Sequence, residues 1–547
     1  MSGTEIKYER DQGEDISRAT DDSKFGGPQH DEDPLDILEV SGLEARQTAL
    51  ELAMQADPGP DWKDWRFIKY CLICALIFMA PGDWGFDGTV VGSINSMEQY
   101  QSYFDLAGEA STKTGVVLGI GAAGTIISFV PSYVVPDRYG RRWAMSLGNI
   151  PSIISAFMSG FAPNYHTLLA ARIIGGLGFQ GAAPAAYLAE ITPPKYRGRV
   201  IGAFDSMYYI GQIIATGICI PFGRGTSNWA WRVPFCLQAA PLLVLMAGIL
   251  FCPESPRWLY AHGQEEKALR ILADLHSRDG DINSPLVQLE MQEIRAQISQ
   301  DGADTRWWDF RSLFNTRANT YRFLLGVVNL VWSQFAGNGL VTNWLPELIR
   351  QAGITDTNRQ RQLTFANAVT SFAGAMTGVA IVDHVGRRGL MLWAAASCGI
   401  GMAICAGLLS DTGPKTLMRT NASIAFIMLF MVCFSIGWTP LQQLYPTEVL
   451  SYENRQKGNA LRSMISILIN SPALLTHIQW KTYIIFVVLN AIGFVLIYVF
   501  AVETKQLSLE DLDEVFESRN PKKTSLVLVK QAKRNARQSN VAAAAAA

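Results

Sequence analysis

Two charged residues sit where charge is costly. Asp87, in Gly85-Phe-Asp-Gly-Thr-Val-Val-Gly92, and Arg172, in Arg172-Ile-Ile-Gly-Gly-Leu-Gly178, each interrupt a stretch made otherwise of apolar and small residues. A charge at the centre of a membrane helix costs ~2.5–3.5 kcal/mol on insertion scales, so such a residue needs a partner and marks function by default. The alternative is a fixed ion pair that only holds its two helices together.

The stretches around them set the architecture. A bilayer core of ~30 Å needs about 20 mostly apolar residues per helix. Runs of roughly that length recur along the chain. The first six are Phe67–Ile94, Gly115–Val135, Trp143–Phe161, Leu168–Leu188, Val200–Pro221 and Val233–Cys252. The second six are Phe323–Leu345, Leu363–Val382, Leu390–Leu409, Ile424–Leu441, Ala460–Leu475 and Tyr483–Phe500. Gly and Pro inside them are tolerable, because neighbouring helices satisfy the freed backbone groups. The expected fold is an all-α membrane protein of twelve helices in two pseudo-symmetric six-helix bundles.

An even number of crossings puts both termini on one side. Lys and Arg cluster in alternate loops (Arg138, Arg141 and Arg142; Lys195, Arg197 and Arg199; Arg387 and Arg388; Arg455 and Lys457), which assigns that side to the cytoplasm. Arg350, Arg359 and Arg361 run against the bias. The expected organisation is a cytoplasmic, largely disordered tail over 1–64, a first bundle over 65–252 and a cytosolic helical linker over 253–319. A second bundle over 320–501 and a cytoplasmic tail over 502–547 complete it. The net charge of −2 offers no basic field for nucleic acid. The start is long and acidic, unlike a cleavable signal. All eight cysteines fall within or at the ends of apolar runs, which argues against disulfides and zinc; Cys71 and Cys74 read as packed thiols despite their CxxC spacing.

The two halves echo each other in three markers. Asp137-Arg138-Tyr139-Gly140-Arg141-Arg142 after the second run recurs as Asp383-His384-Val385-Gly386-Arg387-Arg388 after the eighth. Glu190 and Arg197 end the fourth run, and Glu448 and Arg455 end the tenth, both pairs seven residues apart. Pro253-Glu254-Ser255 follows the sixth run and Val502-Glu503-Thr504 the twelfth, with Arg257 close behind the former. Parallel repeats about a central axis are a transporter plan with the solute near the midplane. Acid–arginine clusters at the helix ends then serve as gates that pair when the inner side is shut, each exposed pair contributing ~1 kcal/mol or less and networks more. The alternative is ordinary positive-inside anchoring.

Tyr187-Leu-Ala-Glu-Ile-Thr-Pro-Pro-Lys-Tyr-Arg-Gly198, Pro253-Glu-Ser-Pro-Arg-Trp-Leu259, Glu503-Thr-Lys with Leu509-Glu-Asp, and the Arg172–Gly178 run together resemble the sugar porter family of the major facilitator superfamily. The resemblance covers about Phe67 to Phe516. Trp332-Ser-Gln-Phe-Ala-Gly-Asn-Gly339 and Asp205-Ser-Met-Tyr-Tyr-Ile-Gly211 are most similar to the fungal lactose and hexose permease branch, as is the loop holding Asn283-Ser-Pro-Leu-Val and 290–298. The resemblance implies that Asp87 and Arg172 match the carboxylate and arginine of proton-coupled porters, where protonation of the acid releases the arginine. It also implies a plasma-membrane carrier without a cofactor, driven by a proton gradient.

A sugar offers apolar C–H faces and many hydroxyls, so its cavity should combine aromatic faces with amides. The candidates are Gln334, Asn338 and Asn343 on the seventh run, Trp438 on the tenth, and Asp205 and Gln212 on the fifth. Several positions depart from the family pattern: Ser333 for the first of a tandem glutamine, Gly339 for an Asn displaced to Asn338, Asp205 for a glutamine, and Gln443 for a glutamate. Asp205 either contacts solute or a proton, or pairs with a lysine or tyrosine elsewhere. Asn367 and Asn470 are either cavity lining or interhelical glue. Gly175-Gly176-Leu-Gly178 reads as close packing, since a phosphate loop would need a strand and a Lys. No nucleophile–base–orienter set argues for an enzyme. The expected function is secondary transport of a mono- or disaccharide by a monomer, with a non-sugar carrier and a sugar sensor as alternatives. A short amphipathic helix is expected over Leu509–Phe516. Disorder is expected before Asp61 (bar a weak helix over Leu35–Met54) and after Asn520.

Overall fold

The computed structural model describes residues 52–106, 110–178, 183–300, 310–354, 356–409, 416–469 and 481–505, with 507, 512 and 515–530. Among these residues every regular element is helical, and the helices line up end to end as twelve rods. The first is Trp65–Asn95. The second is Lys113–Ile127 with Phe129–Tyr139, bent by 44°. The third joins Arg141–Gly148 to Ile150–Gly160, the fourth Tyr165–Gly176 to Ala183–Ile191, and the fifth Arg197–Ser206 to Tyr208–Phe222. The sixth is Trp229–Phe251. The seventh joins Arg317–Phe335 to Asn338–Gln351. Thr357–Val385, Arg387–Leu409 and Leu417–Val449 are the eighth to tenth. Tyr452–Ile469 is the eleventh and Lys481–Phe500 the twelfth.

Six rods (the first, sixth, eighth, ninth, tenth and twelfth) are long and apolar enough to cross a bilayer by length and composition, and the bent second makes a seventh. The third, fourth, fifth and seventh are broken within their length, and the eleventh starts on the polar stretch Glu453–Lys457. Polar side chains cap several starts: Asp64 accepts from the Arg66 N–H, Asn164 from Thr167, Thr316 from Asn319 and Thr416 from Arg419.

Glycine lets rods touch backbone to backbone. A Cβ on Gly85 would lie 1.8 Å from the Tyr208 carbonyl oxygen, and one on Gly211 would lie 1.7 Å from that of Gly82, so the first and fifth rods meet here. A Cβ on Gly176 would come within 2.1 Å of the Gly121 oxygen. The glycine run after Arg172 is therefore a packing seam between the second and fourth rods, as its composition suggested. Between the halves, the fifth rod packs on the eighth and the second on the eleventh. These are equivalent pairs when the first half is superimposed on the second in chain order.

The linker contains Pro256–Ala261, Glu265–His276 and Pro285–Gln300. It packs around Leu259, Leu272, Val287 and Met291, and we call its side of the bundle the linker face. The flanking segments are more ordered than their sequence suggested. Residues 52–56 are helical, and Asp57 accepts bonds from Ser284 Oγ (2.6 Å) and the Arg278 N–H (3.0 Å). Beyond Asn520, residues 521–530 form a helix whose Leu528 is fully buried in the core of the second half. The buried Leu contributes about 1.5–3 kcal/mol, and it belongs to a short apolar run, Leu526–Val529, that the basic residues around it obscure. Residues 1–51 and Asn470 lie outside the described set, as does most of Leu509–Phe516.

Candidate functional site

Asp87 and Arg172 meet. Arg172 Nη1 lies 2.6 Å from Asp87 Oδ1 and Nη2 lies 3.2 Å from Oδ2, a two-pronged pair between the first and fourth rods. The Arg172 side chain is 12% exposed and that of Asp87 34%, so the carboxylate faces open space while the guanidinium is enclosed. Asp83, one helical turn from Asp87, is buried, and its Oδ1 has no donor among the described residues.

The solute candidates separate into lining and buried groups. Gln334 and Asn338 are half-buried, with Asn338 Oδ1 accepting from Thr342. Gln212 is buried and its Oε1 has no donor among the described residues. Trp438 is fully buried in the second half's core, and its Nε1 has no acceptor there. It packs with its own bundle in this conformation and offers no aromatic face to open space. Asn367 is buried with Oδ1 unpaired among the described residues. The side chain of Asn343 lies outside the described set.

Asp205 finds a partner that sequence reasoning missed. Its Oδ2 accepts from the Gln443 N–H of the tenth rod at 2.9 Å, and Arg462 of the eleventh is the opposing charge that acts on it. Arg462 donates through Nη1 to the Gln442 carbonyl and through Nη2 to Gln443 Oε1, each at 2.8 Å. Arg462 interrupts the run Ala460–Leu475 just as Arg172 interrupts its own, and the same criterion would have found it. The bonded partner is thus a backbone N–H, in place of a lysine or tyrosine, and the opposing charge is an arginine reached through Gln443.

The repeated markers assemble into two equivalent clusters on the linker face. In the first half, Arg141 Nη2 pairs with Glu190 Oε1 (3.2 Å) and Nη1 with Asp137 Oδ1 (3.4 Å). In the second, Arg387 pairs with Glu448 through Nη2 (2.7 Å) and Nε (3.1 Å), and with Asp383 (3.1 Å). Glu254 Oε1 accepts from the Arg141 N–H at 3.0 Å and Oε2 from that of Arg142 at 3.4 Å. Glu503 does the same for Arg387 (2.8 Å) and Arg388 (3.1 Å). Each glutamate caps the N-terminus of the rod in front of it, where anions are favoured. Ser255 hydrogen-bonds Glu190, and Thr504 bonds Glu448 at 2.6 Å. Gly140 (φ +98°) and Gly386 (φ +93°) make the turns, and a Cβ on either would lie 2.4 or 2.5 Å from the capping carboxylate.

Glu190 and Glu448 bind Arg141 and Arg387 in their own halves, because the arginines seven residues on are carried past the turn into the next rod. Arg197 instead points to the linker's Glu290 at 3.9 Å, and Arg455 donates to the Leu450 carbonyl at 3.5 Å. Arg142 and Arg388 donate to carbonyls, of Ile249 (3.3 Å) and Tyr498 (2.9 Å), and so hold the ends of the sixth and twelfth rods. Across the halves, Arg199 pairs with Asp383 at 3.3 Å.

Buried His276 contacts Glu290 through Nδ1 and the Ile191 carbonyl through Nε2 at 3.0 Å, tying the linker to the end of the fourth rod. Burial pushes the Glu290 carboxyl up, but His276, then Arg197 and Arg257, outweigh it and hold it below the usual glutamate range. Burial leaves Glu254 above that range despite its N–H partners. A cavity of about 310 Å³ lies on this face, between residues 54–60, Pro193–Tyr196 and the linker's Leu275, His276 and Leu286, away from the solute candidates.

A family model described as "Sugar (and other) transporter" matches residues 73–516. The MFS-type transporter oryC of Aspergillus oryzae is 29% identical over 454 residues, covering 80% of this chain and 83% of that protein. The high-affinity glucose transporter of Kluyveromyces lactis is 27% identical, with 80% and 83% covered. The solved proton:xylose symporter XylE, bound to 6-bromo-6-deoxy-D-glucose, superposes with a TM-score of 0.71 at 21% identity, covering 81% of this chain and 98% of that one. Its inward-open form from E. coli superposes at 0.60. Matched over most of its length, and folded as twelve rods in two like halves, this chain belongs to the sugar (and other) transporter family and is an integral membrane protein of the major-facilitator fold.

Proposed function

We propose that this protein moves a sugar across the membrane by alternating access, with Asp87 as the proton-carrying group and Arg172 as its counter-ion. One observation carries the reading: a two-pronged carboxylate–guanidinium pair inside the bundle whose acid is the more open of the two to space. A proton carrier needs access for the proton and a partner whose grip depends on its charge, and an intramembrane carboxylate paired to an arginine supplies both. Protonation of Asp87 removes the attraction that holds Arg172, frees the fourth rod from the first, and shifts the balance between states open to opposite sides. Half-buried Gln334 and Asn338 offer amides to solute hydroxyls.

The linker face, with its arginine clusters, is the cytosolic one in this reading, the termini lie on that side, and the plasma membrane is the site of action. The energy source is a proton gradient, with no bound cofactor, and a monomer suffices. In the conformation described here that face is shut. The clusters at Arg141 and Arg387 brace each half, and Arg199–Asp383 joins the halves. The second reading, a non-sugar solute, is favoured by Asp205 and Arg462, which bring both signs of charge to Gln443 inside the bundle. Uptake of labelled sugars and of charged metabolites in a transport-null host, with and without a protonophore, tests both. Protonophore-sensitive sugar accumulation is the expected result; movement of charged metabolites alone would overturn the sugar assignment.

A further inference from the structure

Arg462 is an ion that the proposed transport cycle does not use. It is 2% exposed, and both of its terminal nitrogens are spent on the Gln442 carbonyl and the Gln443 amide of the neighbouring tenth rod. Its Nε has no acceptor among the described residues. The charge opposing it, Asp205, belongs to the other half of the molecule and is itself tied to the Gln443 N–H at 2.9 Å. Gln443 thus sits between an arginine of its own half and an aspartate of the other, bonded to both.

The depth of this cluster matters. Asp205 lies eight residues from the start of Arg197–Ser206, Gln443 six from the end of Leu441–Val449, and Arg462 ten from the start of Tyr452–Ile469. At 1.5 Å per residue these are about 12, 9 and 15 Å in from the linker face of a core ~30 Å thick. Asp87 and Arg172 are placed oppositely, eight residues before the far end of Met79–Asn95 and seven after the far-side start of Tyr165–Gly176. Asp205 and Gln443 thus lie nearer the linker face and the Asp87–Arg172 pair nearer the far face, which makes the two charge clusters an inner and an outer one. Beside the inner one, Tyr209 hydrogen-bonds Ser435 (2.7 Å) and Thr439 (3.2 Å) across the same interface.

We propose that Arg462 is a positioning residue for transport: through Gln443 it presents a positive charge to Asp205, and this contact between the halves latches the linker side of the solute path shut. The proposal rests on the alternating-access reading. Opening that side pulls the fifth rod from the tenth and eleventh, breaks the Asp205–Gln443 bond and separates the two charges. Each charge alone in the closed state would lie in a low-dielectric interior without its opposite, so neutralising only one should favour opening more than neutralising both.

Gly202 supplies the reporter. It lies one turn from Asp205 towards the linker face, and a Cβ there would rest 3.5 Å from Pro440 Cβ and 3.8 Å from Val379 of the other half, an ordinary contact. Gly202→Cys is therefore covered when the latch is shut and bared when it opens. The measurement is the rate at which a membrane-impermeant maleimide labels this cysteine in inside-out vesicles, above that of the chain without it. Asp205→Asn and Arg462→Gln should each label at least tenfold faster than the parent, and the double variant more slowly than either single. Parental rates in both singles, or a double equal to the product of the singles, would overturn the latch. Should Arg462→Gln fail to fold, Arg462→Lys carries the test: it keeps the charge but reaches fewer of the amide oxygens. At least threefold faster labelling is expected, and the parental rate overturns the proposal. Labelling needs no solute to move. A flat series therefore defeats the latch and leaves transport standing, whereas failure of the parent to transport any solute defeats the functional reading instead.

Discussion

Asp87→Asn tests proton coupling most directly. Two contacts of 2.6 and 3.2 Å put the charge centres of Asp87 and Arg172 about 4 Å apart, worth ~4 kcal/mol at an effective dielectric near 20. The amide keeps one oxygen for Arg172, a hydrogen bond of ~1 kcal/mol, but turns its NH2 towards a donor. The carboxylate is also 34% exposed, so water screens part of the attraction. A net loss of ~2–3 kcal/mol remains, a shift of about thirty- to hundredfold in favour of the unlatched pair. The variant should behave as if permanently protonated. In proteoliposomes or whole cells, accumulation of labelled solute against its gradient under an imposed pH difference should fall to the equilibrium ratio. Solute counterflow without a pH difference should persist within about threefold, because exchange does not need the proton to leave. Accumulation above equilibrium by the variant, abolished by a protonophore, would refute the assignment of Asp87.

Three further outcomes follow from the linker face. Gly386→Ala forces a side chain to φ +93° and puts its Cβ 2.5 Å from Glu503 Oε2, so ~1–3 kcal/mol of strain should lower the thermal midpoint of the detergent-solubilised protein; an unchanged midpoint would contradict the tight turn. Arg387→Lys keeps the charge but loses the two-pronged grip on Glu448, about 1.5–3 kcal/mol. It should lower that midpoint too and speed labelling of Gly202→Cys, and parental values on both counts would remove Arg387 from the gate. Because the carboxyl of Glu290 is held below the usual glutamate range, its ionised form stabilises docking of the linker at neutral pH, and that contribution is lost only as pH falls below the ordinary glutamate range. Hydrogen exchange of 285–296, corrected for its intrinsic rate, should be flat from neutrality down to that range in the parent and faster throughout in Glu290→Gln. Loss of protection in the parent near neutrality would reverse the sign.

The sequence by itself determined the all-helical membrane fold, because apolar runs long enough to cross a bilayer leave the backbone no other way to satisfy its hydrogen bonds. It also singled out charges that need partners: Asp87 and Arg172 are costly in lipid, and the recurrence of Asp137–Arg142 as Asp383–Arg388 marked the equivalent ends of two halves. Only the tertiary structure decided who meets whom. Glu190 reaches back 49 residues to Arg141 and past the nearer Arg197, Trp438 turns into its own core, and Asp205 meets Gln443 across 238 residues. Residues 521–530, in a tail expected to be disordered, dock through a buried Leu528. The reason is geometric. Insertion cost and helical period are properties of a single segment, legible one residue at a time. The partner of a buried charge depends on which rods pack together, and in this protein glycine seams and turns choose that over separations of tens to hundreds of residues.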